Sequence, residues 1–150
     1  MITKPFVGVL FGICAWAAPL VGSAATVTCL EVKEGWARLP PTASTPMTAG
    51  YGKIRNGCGK AITVVGAHSA AFADVSLHET RVQGDVSRMQ HLHHLAIPAG
   101  ATIELKPGGM HLMLMQATGA VKEGQAVPVV LALDGGDEAS ITLQVRKAAP

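Results

Sequence analysis

An all-β fold, an antiparallel sandwich or Greek-key barrel, is the class this sequence predicts. Two observations carry it. Apolar residues recur at every second position in short runs, the period of a strand with one buried face. Clusters of Gly, Pro, Asn and Asp separate those runs, as turns do in a meander. No long segment keeps a clean 3.6-residue period, so helices are not expected.

The expected strands follow in order. Thr28–Trp36 leads into the Pro/Thr-rich loop "LPPTASTPMT", and Ala49–Asn56 follows it. After "NGCGK" comes Ile62–Ala67. In "ADVSLHETRV", Val75 and Leu77 point one way while Ser76, His78 and Thr80 point the other. "QGD" then turns the chain into Val86–His91. "IPAGA" precedes Thr102–Leu105, and "KPGG" precedes His111–Ala117. "KEG" and "DGGDE" bracket Val127–Asp134, and "ASITLQV" closes the series with Ile141, Leu143 and Val145 inward. Strands of this number and length suit a single two-layer core.

The first 25 residues read differently. Lys4 precedes an apolar run from Phe6 to Val21, and Gly22-Ser23-Ala24-Ala25 offers small residues for cleavage. This is the pattern of a Sec-type secretory signal, with the cut after Ala25, and the run is short for a membrane span. We therefore expect a signal peptide over 1–25, one domain over 26–150, and no membrane insertion after cleavage. A lipid anchor is disfavoured, because neither Cys14 nor Cys29 follows a lipobox-like triplet.

Charge and cysteines narrow the function classes. The net charge of +2 is spread without a basic block, and aromatic residues make up 4% of the chain, so nucleic acid is not an expected partner. Past the signal, Cys29 and Cys58 remain. In an oxidising compartment two cysteines favour a bridge, here closing a loop of about 30 residues worth about 3–4 kcal/mol. Two buried free thiols are the alternative.

Enzyme signatures are missing: no G-x-S-x-G, P-loop, H-E-x-x-H or C-x-x-C occurs. Asp74, Ser76 and His78 share one strand face, but at i, i+2 and i+4 their spacing is expected to be too wide for a triad. An enzyme is not expected.

Metal chemistry is better supported. "LKPGGMHLMLMQ" holds three of the six methionines. His111 and Met113 leave the same strand face, while Leu112 and Leu114 leave the other. With His78 and Met89 they make two imidazoles and two thioethers, a soft set suited to Cu(I) and unsuited to Ca²⁺ or Mg²⁺. A Met in a strand is also an ordinary core filler, so the donors by themselves do not decide the matter.

Their order and spacing add to them. His78, Met89, His111 and Met113 stand in the series H-x10-M-x21-H-x-M. In this, and in "GWARLPP", "AGYGKIRNG", "SLHET" and "IPAGATIELKPGGMHLMLM", the chain resembles the periplasmic copper chaperones called PCu(A)C. The resemblance runs from about Val32 to Val145. It implies a cupredoxin-like Greek-key barrel and Cu(I) held by His78, Met89, His111 and Met113. It also implies a periplasmic location and delivery toward cytochrome c oxidase assembly. The partner would be a copper-accepting protein, such as an oxidase subunit or another periplasmic copper chaperone.

The His- and Met-rich tail of many relatives, which can hold a second copper, is not found after "QVRKAAP". Instead "MQHLHHL" sets His91, His93 and His94 just beyond Met89. His91 and His93 are expected on one strand face, either as plain surface or as an auxiliary metal pair that captures Cu(II) or passes copper onward. Met115, on the face of Met113, is expected to fill the core or rim, and Met47, in the Pro-rich loop, is within possible reach of the ligands without being one of them. Two other readings use the same residues. A sequestering or resistance protein would store copper on the same ligands. A cupredoxin-like electron carrier would need a cysteine thiolate, which a Cys29–Cys58 bridge removes.

Overall fold

A computed structural model of the chain describes residues 25–147. The expected signal segment, apart from Ala25, lies outside the described residues. The described residues form ten strands and no helix: β1 Leu30–Arg38, β2 Met47–Asn56, β3 Ile62–Ser69, β4 Phe72–Gln83, β5 Val86–His91, β6 Leu95–Ile97, β7 Thr102–Leu105, β8 Met110–Ala117, β9 Ala126–Leu133 and β10 Glu138–Arg146. Nine were expected, with ends within a few residues. The tenth, β6, has three residues, too few for a period to show. It forms by pairing with Ile62–Val64 of β3.

The sheet order β4-β8-β2-β1-β10-β9-β3 closes on itself through the β3–β4 pairing, giving a seven-stranded barrel. β5, β6 and β7 attach outside that ring, on β4, β3 and β2. All its pairings are antiparallel except β1–β10, which is parallel. Parallel neighbours need a long crossover. Here the first and last strands meet, so the whole domain serves as that crossover.

Period-two burial fills the barrel. Val75 and Leu77 of β4, Leu112 and Leu114 of β8, and Ile141, Leu143 and Val145 of β10 are buried inward, as their alternation predicts. Gly50 of β2 pairs with Leu112, and a Cβ there would lie 2.7 Å from Leu143 Cδ1. The core thus presses against bare backbone where β2 meets β8.

One end of the barrel is closed by polar bonds. Asn56 is fully buried. Its amide donates to the carbonyls of Lys60 and Ile97, each at 2.9 Å, and to Pro98 at 3.2 Å, while its Oδ1 accepts from Cys58 N–H at 2.9 Å. Cys29 and Cys58 form a disulfide beside it, with Cα atoms 5.1 Å apart, as expected. Both described cysteines are therefore bridged, and neither carries a free thiolate.

Candidate metal centre

The other end of β2, with β8, β4 and β5, carries the histidines and methionines. Its construction begins at the turn "KPGG". Gly109 N–H donates to Lys106 carbonyl at 3.1 Å. Pro107 occupies the position where a fixed φ is favoured, and Gly108 takes φ 74°, the left-handed value such a turn requires. The turn leaves the Gly109 carbonyl facing β4 and β8. It accepts from Thr80 N–H at 3.0 Å and from His111 Nδ1 at 2.9 Å. An imidazole whose Nδ1–H is so engaged keeps its lone pair on Nε2, the arrangement a metal-ligating histidine needs.

β8 and β4 are in register, with His78 opposite His111 and Ser76 opposite Met113. Directly opposed residues share a sheet face, so His78, His111 and Met113 stand together. The His78 and His111 ring centroids are 6.1 Å apart. β5 pairs on the far side of β4, with His91 opposite His78 and Met89 opposite Thr80. Met89 is thus one register step from His78 on the same face. All four expected donors occupy one face of three adjacent strands. Their exposure is graded: His111 is 5% exposed, His78 and Met113 are half-buried, and Met89 is 53% exposed.

His78 has its own fixing group. Ser76 Oγ lies 3.1 Å from His78 Nε2 and 3.4 Å from Asp74 Oδ2. A carboxylate only accepts, so the single serine proton goes to Asp74 and Nε2–H donates to Ser76. That leaves the lone pair on Nδ1, which is buried with no hydrogen-bond partner. An orphaned buried nitrogen is costly, and a bound cation would satisfy it. Burial, then the neighbouring His91 and His111, lower the His78 pKa, with Asp74 pulling weakly the other way. A lowered value keeps the imidazole neutral and able to ligate.

This contact corrects one sequence expectation. Asp74, Ser76 and His78 do come within hydrogen-bond reach, because side chains at i and i+2 lean together along the strand. The order is wrong for a hydrolase, however, since the carboxylate holds the serine and not the imidazole. A second correction concerns His93. β5 ends at His91, and His93 lies beyond it in a bend. Their rings nevertheless stack, with centroids 4.5 Å apart and planes at 14°.

An open groove of about 380 Å³ runs beside these donors and is lined in part by His111, Met113, Met89, Met47 and Tyr51. Met47 is the residue sequence reasoning undervalued. It pairs with Met115 in β2–β8 register and is 45% exposed. Only the register reveals it. Met110 turns to the other face and packs on the core. Among the described residues, no three His, Cys, Asp or Glu side chains are placed to hold a metal ion. Thioether sulfurs beside imidazoles make a soft donor set, the kind that suits soft cations better than hard ones.

Comparison with known proteins agrees with this architecture. Residues 30–145 match the family model "Putative lipoprotein LpqE-like". The chain is 35% identical over 144 residues to "Putative lipoprotein Lxx21020" of Leifsonia xyli subsp. xyli, covering 92% of this chain and 84% of that protein. Among solved structures, the copper-bound PCuAC domain from PmoF2 superposes with a TM-score of 0.65 at 20% identity, over 81% of this chain and 96% of that one. The Cu(I) form of DR1885 from Deinococcus radiodurans superposes with a TM-score of 0.59 at 28% identity, over 80% and 81%. The fold is that of PCuAC domains.

Proposed function

Because the chain belongs to the LpqE-like family and has the PCuAC fold, we propose that it is an exported Cu(I) carrier that hands copper to an acceptor protein. The ligands in this reading are His78, Met89, His111 and Met113. What supports it is one relationship: two imidazoles with prepared lone pairs share a sheet face with two thioethers. The donor set is neutral and soft, and the DR1885 relative has a Cu(I) form.

The donors suit release as well as capture. His111 and His78 are held by Gly109 and Ser76, so their half of the shell is built before copper arrives. Met89 sits on the exposed edge strand β5 and can be displaced first. Thioethers hold Cu(I) without the thiolate charge that would make release slow. A docked acceptor could then replace donors in turn, from Met89 inward to His111.

Location follows the same reading. The lipoprotein designation of the family and of the Leifsonia protein fits an envelope protein, and the N-terminal signal pattern fits export to the periplasm. Cys29 is in the disulfide, so it does not carry a lipid. No helix among the described residues is long and apolar enough to cross a membrane. We take the acceptor to lie on the route to cytochrome c oxidase.

The test is an anaerobic Cu(I) titration against a competing chelator, followed by mixing with an apo oxidase copper domain. One Cu(I) per chain, then transfer, is expected. Absence of Cu(I) binding overturns the carrier reading. Tight binding without transfer to any copper-accepting domain would instead mark a store.

A further inference from the structure

Four imidazoles form a row that begins in the candidate centre and ends in solvent. Successive ring centroids are 6.1 Å apart from His111 to His78, 5.1 Å from His78 to His91, and 4.5 Å from His91 to His93. The row crosses β8, β4 and β5 at one register level and leaves the barrel through the bend after β5. Exposure rises along it, from buried His111 through half-buried His78 to exposed His91 and His93.

The backbone fixes the row. Leu92 N–H donates to the Leu77 carbonyl at 2.8 Å, and the Leu92 side chain packs on the core. With Leu92 turned inward, His91 and His93 are both turned outward. His94, one residue on, has no ring contact of this kind among the described residues. The arrangement is more than a cluster of surface histidines, because each ring is set against the next.

The spacings have a chemical meaning. A ring nitrogen stands about 2 Å from an ion it binds, so two imidazoles sharing one ion have centroids roughly 6 Å apart or less. The His78–His91 and His91–His93 gaps lie inside that limit and the His111–His78 gap, at 6.1 Å, lies at it; because a ring's lone pair lies in its plane, the stacked His91 and His93 rings share an ion only after one of them turns. No three side chains in the row converge on one point, so the row does not make a second full site. It makes a series of two-coordinate steps, and an ion bound by neighbouring imidazoles is one ring rotation from the next pair.

We propose that His93 and His91 form the copper entry and exit route of the centre, passing the ion pairwise to His78 and His111. The inference rests on the carrier reading above and adds to it the side of the molecule through which copper moves. The competing path is direct access through the open groove beside Met89 and Met113. Copper keeps its oxidation state throughout, and each step exchanges one neutral imidazole for another.

The experiment separates rate from affinity. Cu(I) supplied as its acetonitrile complex is mixed with purified protein under anaerobic stopped flow. Loading is read from Trp36 fluorescence, since the Trp36 and Tyr51 ring centroids are 4.7 Å apart and those of Tyr51 and His111 6.4 Å apart. Affinity is measured separately by chelator competition. In the His91→Gln/His93→Gln double variant, loading is expected to slow by about tenfold or more while the affinity stays within about twofold, a difference of less than 0.5 kcal/mol. His94→Gln should load like the parent. Loading at the parental rate in the double variant would overturn the route in favour of the groove. A parallel loss of affinity would overturn it too, by making His91 a ligand. Equal slowing by His94→Gln would reduce the effect to general surface capture, which also sinks the proposal. A parent protein that binds no Cu(I) would fail the carrier reading itself, and the two failures are distinct.

Discussion

His111 Nδ1 and the carbonyl oxygen of Gly109 lie 2.9 Å apart, Gly109 closing the tight turn that leads into β8. The turn thus supplies, two residues upstream, the support for the proposed ligand His111. Gly108 holds the geometry at φ 74°. Replacing it with Ala forces a Cβ into the left-handed region, at a cost of about 1 kcal/mol. Gly108→Ala should therefore lower the melting temperature modestly and weaken Cu(I) by about tenfold, the usual scale for losing an outer-shell partner. Chelator competition checks this, and unchanged affinity would mean the turn does not orient His111.

Met113→Leu keeps volume and apolarity, so the half-buried site should lose less than about 1.5 kcal/mol of stability. It removes the sulfur, and Cu(I) affinity should fall by about tenfold or more. Met115→Leu is the control. Met115 shares the face but stands opposite Asp74, one step further along β8. If both variants bind like the parent, Met113 is not a ligand and the assignment fails.

Ser76→Ala tests the group that holds His78. The hydroxyl is half-buried and lies on the outer face, so the barrel should remain intact. Without it, Nε2 loses its acceptor and the ring is free to turn or change tautomer. Cu(I) should bind more weakly, by about tenfold, and Ser76→Thr, which restores a hydroxyl, should recover part of that loss. Binding that is equally weak in the Thr and Ala variants would point to packing instead of the hydrogen bond.

His78 also gives the metal-free protein a pH signature. Its pKa is lowered below the ordinary 6.5, chiefly by burial and then by His91 and His111. Between the lowered value and 6.5 the unfolded chain binds more protons at this residue than the folded chain does. Stability should therefore fall as pH drops below 6.5, until the folded imidazole protonates as well. Urea midpoints at pH 7.5 and 5.5, for parent and His78→Gln, measure this. The variant should lose less stability on acidification. An identical loss would remove His78 as the cause.

The Cys29–Cys58 bridge lies at the opposite end of β2 from Met47. Removing both cysteines as Ala should cost about 3–4 kcal/mol on the chain-entropy account. Copper stoichiometry should be unaffected. Loss of Cu(I) with the fold intact would tie the two ends together in a way the described contacts do not.

What the sequence determined by itself was everything governed by local period and local chemistry. Alternation told which of Leu112 and Met113 faces inward, because a strand has only two faces. "KPGG" announced its turn, because Pro and Gly each admit few alternatives there. The spacing singled out His78, Met89, His111 and Met113 as candidate donors. Three things depended on the tertiary structure. Strand β6 exists only because β3 offers it an edge. Ser76 and Gly109 acquired their roles from contacts whose distances no spacing reports. Most of all, the register of β8 on β4 and of β4 on β5 set His111, His78 and His91 side by side. Register depends on how whole strands bury their apolar faces against one another, and a linear sequence of residues does not show which ones come to lie opposite.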